Sequence, residues 1–257
     1  MNLDKLIKSC SLGKDLNEIK FEGIKILIGD INDNNLIHFH FNYKFIPKNQ
    51  IFGTCWGNAC SGALFLTNKR ILGRKPETFE TYRENLLKYA SNENEDGGNI
   101  ENNSVDNFFK NKKIYIKKIN ERQAKNAVMK GRFEVCNFFL NGNQWDNFSK
   151  FYESKKRGIL TKNDLNKGSN QIKNSSIQLG GHLVLLIEIA PSFIRFLNSW
   201  GPDWADEGTF KVKEGDILTE CTTNKSPTYY DIFFYENDLD EEEKQYYIKN
   251  IDYIHEV

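Results

Sequence analysis

The chain has 257 residues, enough to bury a sizeable core in one large or two small domains. Hydrophobic content of 39% and charged content of 27% are ordinary for a globular protein, and 35 basic residues balance 35 acidic ones. A formal net charge of zero offers nucleic acid or a membrane surface no bulk attraction, and no run of 18 apolar residues forms a transmembrane helix.

In chain order, the start Met1-Asn2-Leu3-Asp4-Lys5-Leu6 lacks the long apolar core of a signal peptide. Leu3, Leu6, Ile7 and Cys10 are spaced for one helical face. A strand with a turn at Gly29-Asp30 is expected over Phe21–Ile31 and a second over Leu36–Phe41. His38 and His40 alternate with Phe39 and Phe41 there, as exposed strand-face residues rather than a metal pair. Next comes the segment Gln50-Ile51-Phe52-Gly53-Thr54-Cys55-Trp56, which opens a buried helix: Trp56, Ala59, Cys60, Ala63 and Leu64 recur at i, i+3, i+4 spacing. Cys55 stands at the start of that helix, where free backbone N–H groups and the positive end of the dipole favour a thiolate. Tyr82, Leu86, Leu87 and Ala90 predict a helix over 80–90, and the Asn-, Glu- and Gly-rich tract from Ser91 to Ser104 reads as a surface loop.

A further helix is expected over Glu121–Lys130, then an alternating strand from Phe133, a short helix over Gln144–Ser154 and a polar loop over Lys155–Ser176. Gly180-Gly181-His182 leads into the apolar run Leu183–Ala190, so His182 stands at the entrance of a buried strand. Strands follow over Ile194–Asn198, Thr209–Val212 and Tyr229–Tyr235, and Asn198-Ser199-Trp200-Gly201 ends the first of these. The acidic run Asp238–Lys244 reads as a solvated face. The five cysteines (Cys10, Cys55, Cys60, Cys136 and Cys221) are odd in number and have no metal-ligand spacing, so no metal and no cofactor is expected. The leading reading of that count is a reducing, intracellular setting.

Cys55, His182 and Asn198 are separated by 127 and 143 residues, counted from the cysteine. Papain and the cathepsins place His and Asn roughly 130–150 residues after their Cys. The chain resembles a papain-like cysteine protease over most of its length. Phe41-Asn42-Tyr43-Lys44 resembles the opening of mature enzymes, Lys48-Asn49-Gln50 and Gly53-Thr54-Cys55-Trp56 match the family's nucleophile region, and Gly180-Gly181-His182 and Asn198-Ser199-Trp200-Gly201 match its histidine and asparagine motifs. Thr67-Asn68-Lys69-Arg70, Glu84-Asn85-Leu86-Leu87 and the Gly-Gly-His form are similar to the cathepsin B branch. Phe52 stands where the family has its first disulfide cysteine, the Gln50–Cys55 segment is one residue shorter than usual, Arg132 replaces a proline, and no histidine pair marks an occluding loop. The last departure argues against carboxydipeptidase activity.

The resemblance implies an α+β fold of two lobes: a helical one over residues 41–130 carrying Cys55, and a sheet-rich, barrel-like one over 131–257 carrying His182 and Asn198. Residues 1–40 would be either a short segment blocking the cleft or a structural extension. The expected activity is endopeptidase cleavage of extended polypeptides through a Cys55 thiolate–His182 ion pair and a thioester acyl-enzyme. Asn198 would orient His182, and the Gln50 side chain with the Cys55 N–H would bind the oxyanion. Gly97 and Gly98 would hydrogen-bond substrate backbone, or else form a plain turn. Gly181 and Trp200 would complete the substrate-binding set, with Trp200 shielding the Asn–His bond. The alternatives are a catalytically weak or inactive protein that binds peptides in the same cleft, and peptide transfer by the same thioester. Nothing in the sequence points to a nucleic-acid or membrane partner.

Overall fold

The computed structural model describes residues 53–71, 74–90, 98–129, 132–168 and 179–245. Helix α1 (Cys55–Arg70) is followed by α2 (Phe79–Ala90), α3 (Asn103–Lys110), strand β1 (Tyr115–Ile119), α4 (Glu121–Met129), β2 (Phe133–Asn141), α5 (Gly142–Ser154), β3 (Ile159–Leu160), α6 (Lys162–Leu165), β4 (Leu179–Ala190), β5 (Phe193–Leu197), β6 (Thr209–Val212) and β7 (Thr228–Phe233). The strands form one seven-stranded sheet in the order β1-β7-β2-β4-β5-β6-β3. Every pairing is antiparallel except β3 with β6. The fold is thus mixed α and β.

Side chains alternate across a strand with a period of two, and here both faces are covered. Phe133, Val135, Leu183, Leu185, Ile187, Tyr230 and Ile232 pack in one cluster with Trp56, Cys60, Ala63 and Leu64 of α1. Their neighbours Cys136, Phe138, Leu140, Val184, Leu186, Phe196 and Tyr229 pack in a second cluster with Ala124 and Val128 of α4 and Phe148 of α5. Burial on both faces explains why β4 reads as an unbroken apolar run rather than an alternating one. Helix α1 is buried nearly all round. Gly57 lets α2 approach it, since a Cβ there would sit 2.7 Å from Leu87 Cδ2.

The expected helices and strands within the described residues are present with small shifts of their ends. Four features differ. Helix α3 begins inside the tract read as loop: Asn102 caps it by accepting the Ser104 N–H at 2.9 Å, and Val105, Phe108 and Phe109 bury its one apolar face. Strand β1 is short, half exposed and lysine-bearing, and exists through its pairing with β7. The tract from Lys155 contains β3 and the capped turn of α6. The acidic run is not wholly solvated, because Glu243 is buried and takes a two-point contact from Arg74, Nε to Oε1 at 2.6 Å and Nη2 to Oε2 at 3.0 Å. The elements expected before residue 41 lie outside the described residues.

Candidate active site

Cys55 is the first residue of α1. Thr54 supplies the cap position without a side-chain cap bond, and its carbonyl accepts both the N–H and the Nδ2–H of Asn58, each at 3.1 Å. Arg83 of α2 reaches back to hold this turn, donating from Nε to Asn58 Oδ1 at 2.8 Å. No acidic residue occupies the first turn of α1, so no carboxylate competes with negative charge on the sulfur. The backbone N–H groups of Leu183, which follows His182 on β4, of Trp56 and of Cys55 itself lie near enough to the Cys55 sulfur to favour its charged form.

This approach uses a stretch of β4 that β5 leaves unpaired. Strand β5 pairs with β4 only from Leu185 onward, where Leu197 lies opposite. Beyond Leu197 the chain turns away as Asn198, anchored by its own N–H to Gly208 O at 2.9 Å. The turn continues through Gly201, whose φ of 87° is readily available to glycine. Asn198 Oδ1 then lies 2.7 Å from His182 Nε2 and also accepts the Ser199 N–H at 2.8 Å. The Ser199 donor identifies that amide atom as oxygen, which makes His182 Nε2 the protonated nitrogen and leaves Nδ1 as the basic one. Asn198 Nδ2 is buried with no hydrogen-bond partner among the described residues.

Aromatic rings enclose the imidazole. Trp200 lies 5.2 Å away with its plane tilted by 33°, while Trp145 at 5.8 Å and Phe138 at 5.7 Å meet it edge-on. Trp145 also donates from Nε1 to Gly180 O at 3.1 Å. These contacts explain the two glycines before His182. A Cβ on Gly180 would sit 2.4 Å from Trp145 Nε1, and one on Gly181 would sit 2.8 Å from Phe139 Cε1.

Burial sets the charge state of both reactive groups. It pushes the Cys55 thiol up, against the N–H donors of Leu183, Trp56 and Cys55 that pull it down. It lowers His182 to about 4, against the Asn198 hydrogen bond that favours the charged ring. Burial thus disfavours charge on both groups. The thiolate–imidazolium pair expected from the sequence is therefore opposed by desolvation in this conformation.

Of the residues singled out in the sequence, His182 and Asn198 are bonded, Trp200 covers them, and Cys55 lies against the backbone next to His182. Gly98 packs flat on the ring of Trp56, where a Cβ would come within 2.0 Å of Cε2. Gly181 is exposed beside Phe139. Gln50 and Gly97 lie outside the described residues. Trp145 and the Leu183 N–H were not anticipated; both reach the site through tertiary packing that no sequence spacing carries. Cys55, Cys60, Cys136 and Cys221 are free thiols, and among the described residues no helix is long and apolar enough to cross a membrane.

No protein-family model and no curated protein matches the sequence. Solved structures that resemble the chain include the bromelain protease from Ananas comosus in complex with the E64 inhibitor, at 15% identity and a TM-score of 0.48, covering 76% of this chain and 97% of that one. Xylellain, a cysteine protease from Xylella fastidiosa, is 15% identical with a TM-score of 0.41, covering 75% and 84%. The proCathepsin B S9 of Trypanosoma congolense is 16% identical with a TM-score of 0.27, covering 45% and 34%.

Proposed function

We propose that the protein is a papain-like, cathepsin B-like cysteine endopeptidase, with Cys55 as nucleophile, His182 as general base and acid, and Asn198 as the residue that orients His182. The observation that carries this reading is the convergence at one strand edge: the Cys55 sulfur against the Leu183 N–H, and the adjacent His182 held through Nε2 by Asn198. The sequence resemblance supports the same assignment at each of these positions.

The reaction needs the thiol proton on His182, giving the Cys55 thiolate–His182 imidazolium pair against the desolvation that disfavours both charges. That proton passes to His182 Nδ1, Cys55 Sγ attacks the scissile carbonyl, and the imidazolium formed is stabilised by Asn198 Oδ1. The Cys55 N–H, together with the Gln50 side chain, takes the developing oxyanion. His182 then returns the proton to the leaving amine, giving a thioester that is hydrolysed by a water deprotonated at the same nitrogen. Trp200, Trp145 and Phe138 keep bulk water from the Asn198–His182 bond. In this reading residues 41–130 and 131–257 form two lobes about an extended substrate, and residues 1–40 form an extension or a blocking segment. Four free thiols suit a reducing, intracellular setting.

Desolvation of both reactive groups also favours a second reading, a weak or inactive enzyme that binds peptides or a partner in the cleft. Hydrolysis of a fluorogenic peptide amide under reducing conditions separates the two. The peptidase reading expects turnover that disappears in Cys55→Ala and that rises on deleting residues 1–40 if these block the cleft. Silence of every form, with Cys55 also inert to iodoacetamide, leaves the binding protein.

A further inference from the structure

The odd-numbered positions of β4 at its start face the α1 side of the sheet. Leu183, whose N–H meets the Cys55 sulfur, and Gly181 therefore share that face, on the order of 7 Å apart along the strand. Directly across from Gly181 in the β2 register stands Phe139, half-buried, with its ring edge close against the glycine. Gly181 is exposed, so this end of the strand edge is open to solvent. The ammonium of Lys225 sits over that ring, 3.2 Å from its centroid.

The loop that carries Lys225 is built to hold it there. Glu220 is fully buried, and its carboxylate accepts the N–H groups of Thr222 and Thr223, the Thr223 hydroxyl and Asn141 Nδ2. The Glu220 N–H closes the loop on the Lys225 carbonyl at 3.0 Å. With its oxygens so occupied, Glu220 is not the counter-ion of Lys225. Lys225 is exposed and, like Lys88, Lys117 and Lys150, has no carboxylate partner among the described residues; it differs from them in being held over an aromatic ring.

We infer that Lys225, held over the Phe139 ring, forms a specificity subsite for an acidic substrate side chain, whose carboxylate pairs with the ammonium. The inference rests on the peptidase reading for its place beside Cys55 and names the substrate class that reading leaves open. A cation fixed over an aromatic ring and left without a carboxylate discriminates by charge.

The test uses matched peptides carrying Glu, Gln or Lys at successive positions before the cleaved bond, with the wild-type chain, Lys225→Met and Lys225→Glu. At one position the wild type is expected to favour Glu over Gln by about fivefold in kcat/KM, the size of an exposed ion pair. The ratio falls to about one in Lys225→Met and reverses toward Lys in Lys225→Glu. It also shrinks as salt is raised. Affinities of the same peptides for Cys55→Ala, alone and combined with Lys225→Met, give an arm that needs no turnover. A binding ratio that depends on Lys225 in a chain that cleaves nothing would retain the subsite and remove the peptidase. Cleavage with equal Glu and Gln ratios in wild type and Lys225→Met would overturn the subsite and leave the peptidase standing. Neither cleavage nor charge-dependent binding would overturn both.

Discussion

His182→Ala is expected to lower kcat for a peptide amide by about 10²–10⁴-fold, with KM little changed, because in the proposed mechanism His182 is the proton acceptor and donor of both half-reactions. Activity of Asn198 variants then separates orientation from proton transfer. Asn198 Oδ1 accepts from both His182 Nε2 and the Ser199 N–H, so an acceptor oxygen at that point fixes the tautomer that leaves Nδ1 basic. Asn198→Ala loses this acceptor and is expected to lose activity in the direction of His182→Ala. Asn198→Asp keeps the acceptor and retains more activity than Asn198→Ala. Its carboxylate also raises the imidazole pKa, so the acid limb of its kcat/KM profile moves upward. Equal loss in both Asn198 variants, with an unmoved pH profile, would remove the orienting role and reduce Asn198 to a packing residue. Steady-state kinetics across pH reads all of these quantities.

Acidification is expected to destabilise the wild-type fold relative to His182→Gln. His182 has a folded pKa near 4, lowered chiefly by burial, against about 6.5 in an unfolded chain. Below pH 6.5 the unfolded state binds a proton that the folded state refuses, so stability falls as pH drops through this window and the loss is complete below about pH 4. The size of the effect is on the order of 3 kcal/mol, from about 2.5 pH units at 1.36 kcal/mol each.

A second buried group acts in the opposite sense. Glu134 on β2 is fully buried opposite Asp231 on β7. Desolvation first, and the Asp231 charge second, hold its carboxyl well above the usual range, with Arg132 and Arg70 pulling the other way. A raised carboxyl contributes stability that is lost as pH rises through its folded value, so the two groups partly cancel between pH 4.5 and 6.5. The informative quantity is therefore the difference between wild type and His182→Gln in urea denaturation at pH 4.5 and pH 7. That difference grows toward pH 7 if His182 is buried and neutral. A pH-independent difference would contradict the buried imidazole.

Much of the fold was legible because its local patterns agree with its tertiary contacts. The i, i+3, i+4 spacing of Trp56, Ala59, Cys60, Ala63 and Leu64 gives α1, and the apolar run from Leu183 gives β4, because both are buried whatever surrounds them. The order of Cys55, His182 and Asn198 along the chain is likewise a sequence property. What was not legible depends on distant partners. Tyr115–Ile119 carries two lysines and becomes a strand through β7, and Glu243 looks like solvated charge until Arg74 is brought to it. The start of β4 at Leu179 rather than Leu183 was hidden by Gly180 and Gly181, residues disfavoured in strands that are needed here for the close approach of Trp145 and Phe139. A helix start and a neighbouring histidine suggest an ion pair, but only the packed structure shows how completely both groups are taken from water.

The most direct measurement is the rate of Cys55 alkylation by iodoacetamide from pH 4 to 10, followed by peptide mass spectrometry in wild type and His182→Ala. A coupled Cys55–His182 pair whose charges burial disfavours predicts little reaction in acid, a rate that climbs toward alkaline pH, and a slower reaction at neutral pH when His182 is absent. Identical rates in the two forms at every pH would show that His182 does not act on Cys55, and the site would not be that of a thiol peptidase.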